Sequence, residues 1–92
     1  MTIGEFRASP PDELDGPLLA LWWAAEDNWE KADEIAQDIE GAEGSWVHAY
    51  LHRKEGDQSN ASYWYRRAGR SAAEGDFEAE WYQIVEELLA RR

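Results

Sequence analysis

Cysteine is missing from the 92 residues, so disulfides and thiolate metal sites are excluded. No run approaches 18 consecutive apolar residues, so no segment is expected to span a bilayer. The opening Met1-Thr2-Ile3-Gly4-Glu5-Phe6-Arg7 holds no basic stretch leading into an apolar one, so no secretory signal is expected. These absences point to a soluble, cytoplasmic protein. No segment alternates polar and apolar residues, so no strand is predicted. The glycines form neither a phosphate loop nor a dinucleotide fingerprint, and serines 9, 45, 59, 62 and 71 are accounted for as caps and turns. No nucleophile with an attendant base can be assembled.

Tryptophan is abundant instead, with six residues in a short chain that is 13% aromatic. The length makes one small domain, burying roughly 60–65% of its extended surface for a stability of about 5–10 kcal/mol. Charge is uneven. Between Ser45 and Ala73 five basic residues face two acidic ones, whereas the remainder holds four basic and eighteen acidic. A basic middle is thus flanked by two acidic arms within a net charge of −11, which repels nucleic acid and anionic membranes. The basic island is a place where a carboxylate or phosphate could dock.

Residues 1–11, with Gly4, Ser9, Pro10 and Pro11 and no apolar period, read as a flexible arm, and 12–92 as a single helical domain. Asp15-Gly16-Pro17 resembles a cap followed by proline in the first helical turn. Leu18, Leu21, Trp22 and Ala25 then form a wide apolar face. A second helix is predicted from Trp29 to Ile39, with Ala32, Ile35, Ala36 and Ile39 at i, i+3, i+4 and i+7. Gly41 and Gly44 punctuate a loop, after which Ser45 can cap a third helix reaching Glu55. Gly56-Asp57 is read as a tight turn, with glycine supplying a left-handed bend and the short polar residues after it capping the next helix. That fourth helix runs from about Ser59 to Ala68 and stops at Gly69. Asp76 caps a fifth, whose stripe is Phe77, Trp81, Ile84 and Leu88. The fold class is therefore all-α, about five helices in antiparallel hairpins.

A weak internal repeat accompanies this layout, since Ala32 follows Asn28, and Ala61 follows Asp57, by four residues. Over residues 45–70, Ala61, Tyr65 and Ala68 resemble the second half of a tetratricopeptide or Sel1-like repeat, with Ala49 near the small position of the preceding helix. The same run, Glu55-Gly56-Asp57 to Ala68-Gly69, is similar to that of a group of short bacterial proteins. The resemblance implies a right-handed array of helix hairpins and the binding of a protein or peptide. The proline that often closes such a repeat is absent after Gly69.

His48 and His52 are four residues apart, with Glu55 three further on, so all three project from one helix face. A closed metal site needs about four ligands and the chain has only these two histidines, so no metal or cofactor is expected. An enzyme binding a metal or phosphate ligand and centred on His48, His52 and Glu55 stands as the alternative. Tyr63, Arg66, Arg67 and Arg70 interleave ring and guanidinium, which can clamp a peptide carboxylate or stack on bases. Net charge weighs against the bases. The expected binding groove is lined by His48, His52, Tyr63, Arg66, Arg67 and Arg70, and the expected partner is a protein or peptide. Trp22 and Trp23 are adjacent and about 100° apart on a helix, so with Trp22 inside Trp23 is expected at a boundary, which suggests a homodimer surface as well.

Overall fold

The computed structural model describes residues 1–91. Its α-helices are α1 (Ile3–Ala8), α2 (Gly16–Ala25), α3 (Trp29–Gln37), α4 (Ala42–Glu55), α5 (Gln58–Ala68) and α6 (Phe77–Ala90), with one 3-10 turn at Pro11–Glu13. No strand occurs among the described residues, so the all-α class stands. None of these helices is long and apolar enough to cross a membrane.

The chain reverses at Gly56-Asp57. Gly56 takes φ 93°, and the Asp57 N–H donates back to the His52 carbonyl at 2.9 Å. Only a residue without Cβ enters that conformation freely. The Asp57 carboxylate then accepts from the Asn60 N–H at 3.1 Å and opens α5. The Asp27-Asn28 turn repeats this arrangement. Asn28 accepts from the Lys31 N–H at 3.1 Å, and its own N–H donates to the Trp23 carbonyl at 3.0 Å. Here Asp27 occupies the left-handed position, at φ 59°. Four residues beyond each cap stands a fully buried alanine, Ala32 or Ala61. The two hairpins, α2–α3 and α4–α5, therefore share a turn, a cap and a small contact residue.

Helix α4 is central and packs against α2, α3, α5 and α6. Its residues from Gly44 to Leu51 are buried without interruption, as expected of a helix enclosed on every side. It starts at Ala42, one turn ahead of the predicted Ser45 cap. Ser45 lies inside the helix and is itself buried. Gly44 is no loop residue either. A Cβ placed there would come within 2.2 Å of the Ile39 carbonyl oxygen, so the missing side chain lets the connection after α3 pack directly against α4.

The N-terminal segment departs from the arm read in the sequence. Thr2 and Glu5 form a reciprocal capping box around α1, and Phe6 is fully buried, its ring 6.0 Å from that of Trp81. One aromatic anchor leaves no apolar period, which is why sequence pattern alone misses it. The radius of gyration, 12.0 Å, equals the roughly 12 Å of a fully packed chain this long, so both ends fold onto one body.

Helix α6 keeps three of the four residues of its predicted stripe in the core. Trp81, Ile84 and Leu88 are buried as expected, but Phe77 is 41% exposed and Glu80 takes a buried place instead. Glu80 is held by Arg53, whose Nη1 donates to Oε1 at 2.9 Å, and by the Tyr65 hydroxyl, which donates to Oε2. Arg53 also donates to the Gly75 carbonyl and lies 4.7 Å from the Phe77 ring centre. One buried carboxylate thus gathers α4, α5 and α6. Two tryptophans add cross-links of another kind. Trp29 Nε1 donates to the Leu51 carbonyl at 2.7 Å, and Trp81 Nε1 to the Leu21 carbonyl at 2.8 Å.

Candidate functional site

Histidines at 48 and 52 lie one turn apart on α4, and α5 folds back beside them. The result is a column of rings. Trp29 meets His52 edge-on at 6.0 Å, His52 lies parallel to His48 at 5.8 Å, and His48 stacks on Trp64 at 4.4 Å. Tyr63 closes the outer end, edge-on to Trp64 at 5.1 Å. Arg67 sits between these last two, its guanidinium carbon 5.7 Å from the Tyr63 ring and 5.6 Å from the Trp64 ring. Its Nη1 also donates to the Tyr63 hydroxyl at 3.0 Å.

Burial grades this column from inside to outside. His48 is buried, His52 and Trp64 are half-buried, and Tyr63 is 43% exposed beside the exposed Arg66 and Arg67. Neither Arg66 nor Arg67 has an acidic partner among the described residues, in a chain where acids outnumber bases twenty to nine. This outer face of α5 is therefore cationic and aromatic on an otherwise acidic molecule.

Arg70 belongs elsewhere. Its guanidinium carbon lies 3.3 Å from the Trp46 ring centre, and its Nη2 pairs with Glu87 of α6 at 2.5 Å. It lines a separate cleft of about 410 Å³ with Trp46, Tyr65 and Glu80. The structure thus brings together His48, His52, Tyr63 and Arg67, leaves Arg66 exposed on the same helix, and places Arg70 in another cluster. Trp64, between His48 and Tyr63, is the residue that joins the histidines to the surface. A second cleft, open and of about 290 Å³, lies among Arg7, Tyr50, Lys54, Phe77, Trp81 and Tyr82. Trp22 and Trp23 pack edge-on against each other at 5.0 Å, both half-buried on the core.

Electrostatics at the histidines is set by the neighbouring helix. Burial pushes the His48 ring below its usual titration range, opposed by the Asp33 carboxylate, aided by His52 and opposed by the Ala36 backbone. The Nδ1 of His48 faces Asp33 Oδ1 across 3.7 Å. His52 Nδ1 lies 2.8 Å from Glu55 Oε1. The second acidic group facing the histidine pair is thus Asp33 of α3, which helical spacing along α4 had no means of nominating. Away from the site, burial and the Glu80 charge push Tyr50 up to about 12, and burial with the hydrogen bond to Glu80 raises Tyr65.

Compared with protein-family models, curated proteins and solved structures, the chain matches none.

Proposed function

We propose that this chain is a small, non-catalytic helical module that binds a protein or peptide through the outer face of α5, and that its partner presents an acidic segment. One observation carries this reading: Arg66 and Arg67 lack acidic partners while Tyr63 and Trp64 stand beside them, the first ring exposed and the second half-buried. Guanidinium groups grip carboxylates in pairs, and adjoining rings supply apolar contact at little conformational loss. Elsewhere the chain is acidic, so an acidic partner is steered to this face and repelled from the rest.

The two hairpins, with matching turns, caps and buried alanines, agree with a tetratricopeptide-like right-handed array, in which helix faces serve as docking surfaces. A chain with no cysteine suits the reducing cytoplasm. Self-association through Trp22 and Trp23 would add a second copy without occupying α5.

A displayed library of random peptides, selected against the purified protein, tests this. Peptides rich in Asp and Glu are expected to be enriched and to bind less tightly as salt rises. The double substitution Arg66→Glu and Arg67→Glu is expected to abolish their binding with the helical circular dichroism intact. Enrichment of no peptide, or binding that survives the double reversal, refutes the reading.

A further inference from the structure

Two buried side-chain atoms lack any hydrogen-bond partner among the described residues, and they face each other: His48 Nδ1 and Asp33 Oδ1. Their 3.7 Å separation exceeds the roughly 2.7–3.2 Å of a hydrogen bond. His48 is only 6% exposed, so bulk water does not reach it freely. Buried polar atoms are nearly always satisfied, and an orphaned pair aimed at one point calls for something between them.

A third donor converges there. One ligand atom each from Asp33, His48 and His52 lies within 4.8 Å of the other two. Bonds of about 2.0–2.1 Å in a tetrahedral shell hold ligand atoms roughly 3.3 Å apart, so small side-chain rotations close the set. Glu55 already engages His52 Nδ1 at 2.8 Å, which leaves the other ring nitrogen without a protein partner. A carboxylate that fixes the tautomer in this way is the usual support for a metal-binding histidine.

We propose that Asp33, His48 and His52 form a three-ligand site for a divalent transition-metal ion, with zinc the best match, fastening α3 to α4. Two imidazoles and one carboxylate suit zinc and its neighbours, whereas magnesium and calcium take oxygen ligands. A fourth position is left for water. Its ligands come from α3 and α4 rather than α5, so zinc binding and peptide binding are tested by different substitutions.

The test uses untagged protein stripped with chelator and titrated with zinc chloride by calorimetry and by tryptophan emission. Trp64 and Trp29 flank the two histidines, so emission reports directly on the site. One ion per chain is expected, with a raised thermal midpoint. Asp33→Asn and His52→Gln are each expected to weaken zinc about 100-fold, and Glu13→Gln on the exposed surface to change nothing. Asp33 and His52 side chains are 16% and 13% exposed, so both substitutions are expected to fold. Should one not, the other decides, together with the cobalt absorption spectrum of the unaltered protein. The proposal is overturned if no ion binds, if several weak ions bind regardless of Asp33→Asn and His52→Gln, or if cobalt shows only the spectrum of its hydrated ion.

Discussion

Arg53 of α4 and Glu80 of α6 form a 2.9 Å ion pair in which neither side chain is more than 6% exposed. The pair lies inside the helical body, and the Tyr65 hydroxyl donates to the same carboxylate. Three helices therefore converge on one acid. Buried pairs contribute little beyond what well-packed apolar residues would, yet removing one member strands the other without solvent.

Glu80→Ala is therefore expected to lower the unfolding free energy by about 3–5 kcal/mol, much of what a domain this small possesses. The paired change Arg53→Met with Glu80→Leu is expected to be milder than Glu80→Ala alone, because no charge is left buried. Urea denaturation followed by circular dichroism measures both. A loss under about 1 kcal/mol for Glu80→Ala would remove the pair from the account of how α6 is held.

Phe6 supplies a second test, on the first eight residues. The side chain is fully buried beside Trp81, and α1 contacts α6. Phe6→Ala empties an aromatic-sized volume and is expected to destabilise the whole domain by about 3–5 kcal/mol. Trp81 emission is expected to shift to the red as solvent reaches its ring. If the denaturation midpoint stays where it was, residues 3–8 are an appendage rather than part of the core.

The two matched turns make opposite predictions. Gly56 holds its left-handed backbone without strain, whereas Asp27 holds the same kind of conformation with a Cβ. Gly56→Ala is expected to destabilise by about 1 kcal/mol, and Asp27→Gly to stabilise by about 0.5 kcal/mol. Equal signs for the two substitutions in chemical denaturation would contradict the equivalence of the turns.

Much of this fold was legible because its punctuation is local. Gly56, Asn28, Asp57 and Asp76 act within three residues of themselves, and each ends or caps a helix where the sequence places it. What escaped depends on partners distant in the chain. Glu80 looks like one acid among twenty until Arg53, 27 residues away, is set beside it. Phe77, the first residue of α6, lies against the Arg53 guanidinium rather than in the core. Gly44 escaped for another reason: its partner Ile39 is near in the chain, but nothing in the sequence tells a loop glycine from one that a carbonyl packs against. The candidate site divides in the same way. His48 with His52, and Tyr63 with Arg67, were visible as four-residue spacings on single helices. Asp33 and the linking Trp64 were not, because their roles arise only where α3 and α5 close on α4.

The last prediction concerns pH and follows from His48. In the unfolded chain this ring takes a proton near 6.5, but in the native state burial disfavours the charged form, with the Asp33 carboxylate opposing and His52 adding to the effect. Below 6.5 the unfolded chain therefore binds more protons than the native one, and stability falls as pH drops toward the native value. Above 6.5 this contribution is constant. One such proton changes stability by at most about 1.4 kcal/mol per pH unit. At the alkaline end the order reverses. Unfolded tyrosines ionise near 10, while Tyr50 is pushed up to about 12 and Tyr65 is also raised, so stability is lost as pH climbs past 10. Urea midpoints measured across the range are thus expected to form a plateau with a falling limb on each side. His48→Gln should lower the plateau yet make the first part of the acid limb shallower, and Tyr65→Phe should do the same to the alkaline limb. An acid limb of unchanged slope in His48→Gln would show that the buried ring already shares its proton with Asp33 in the native state.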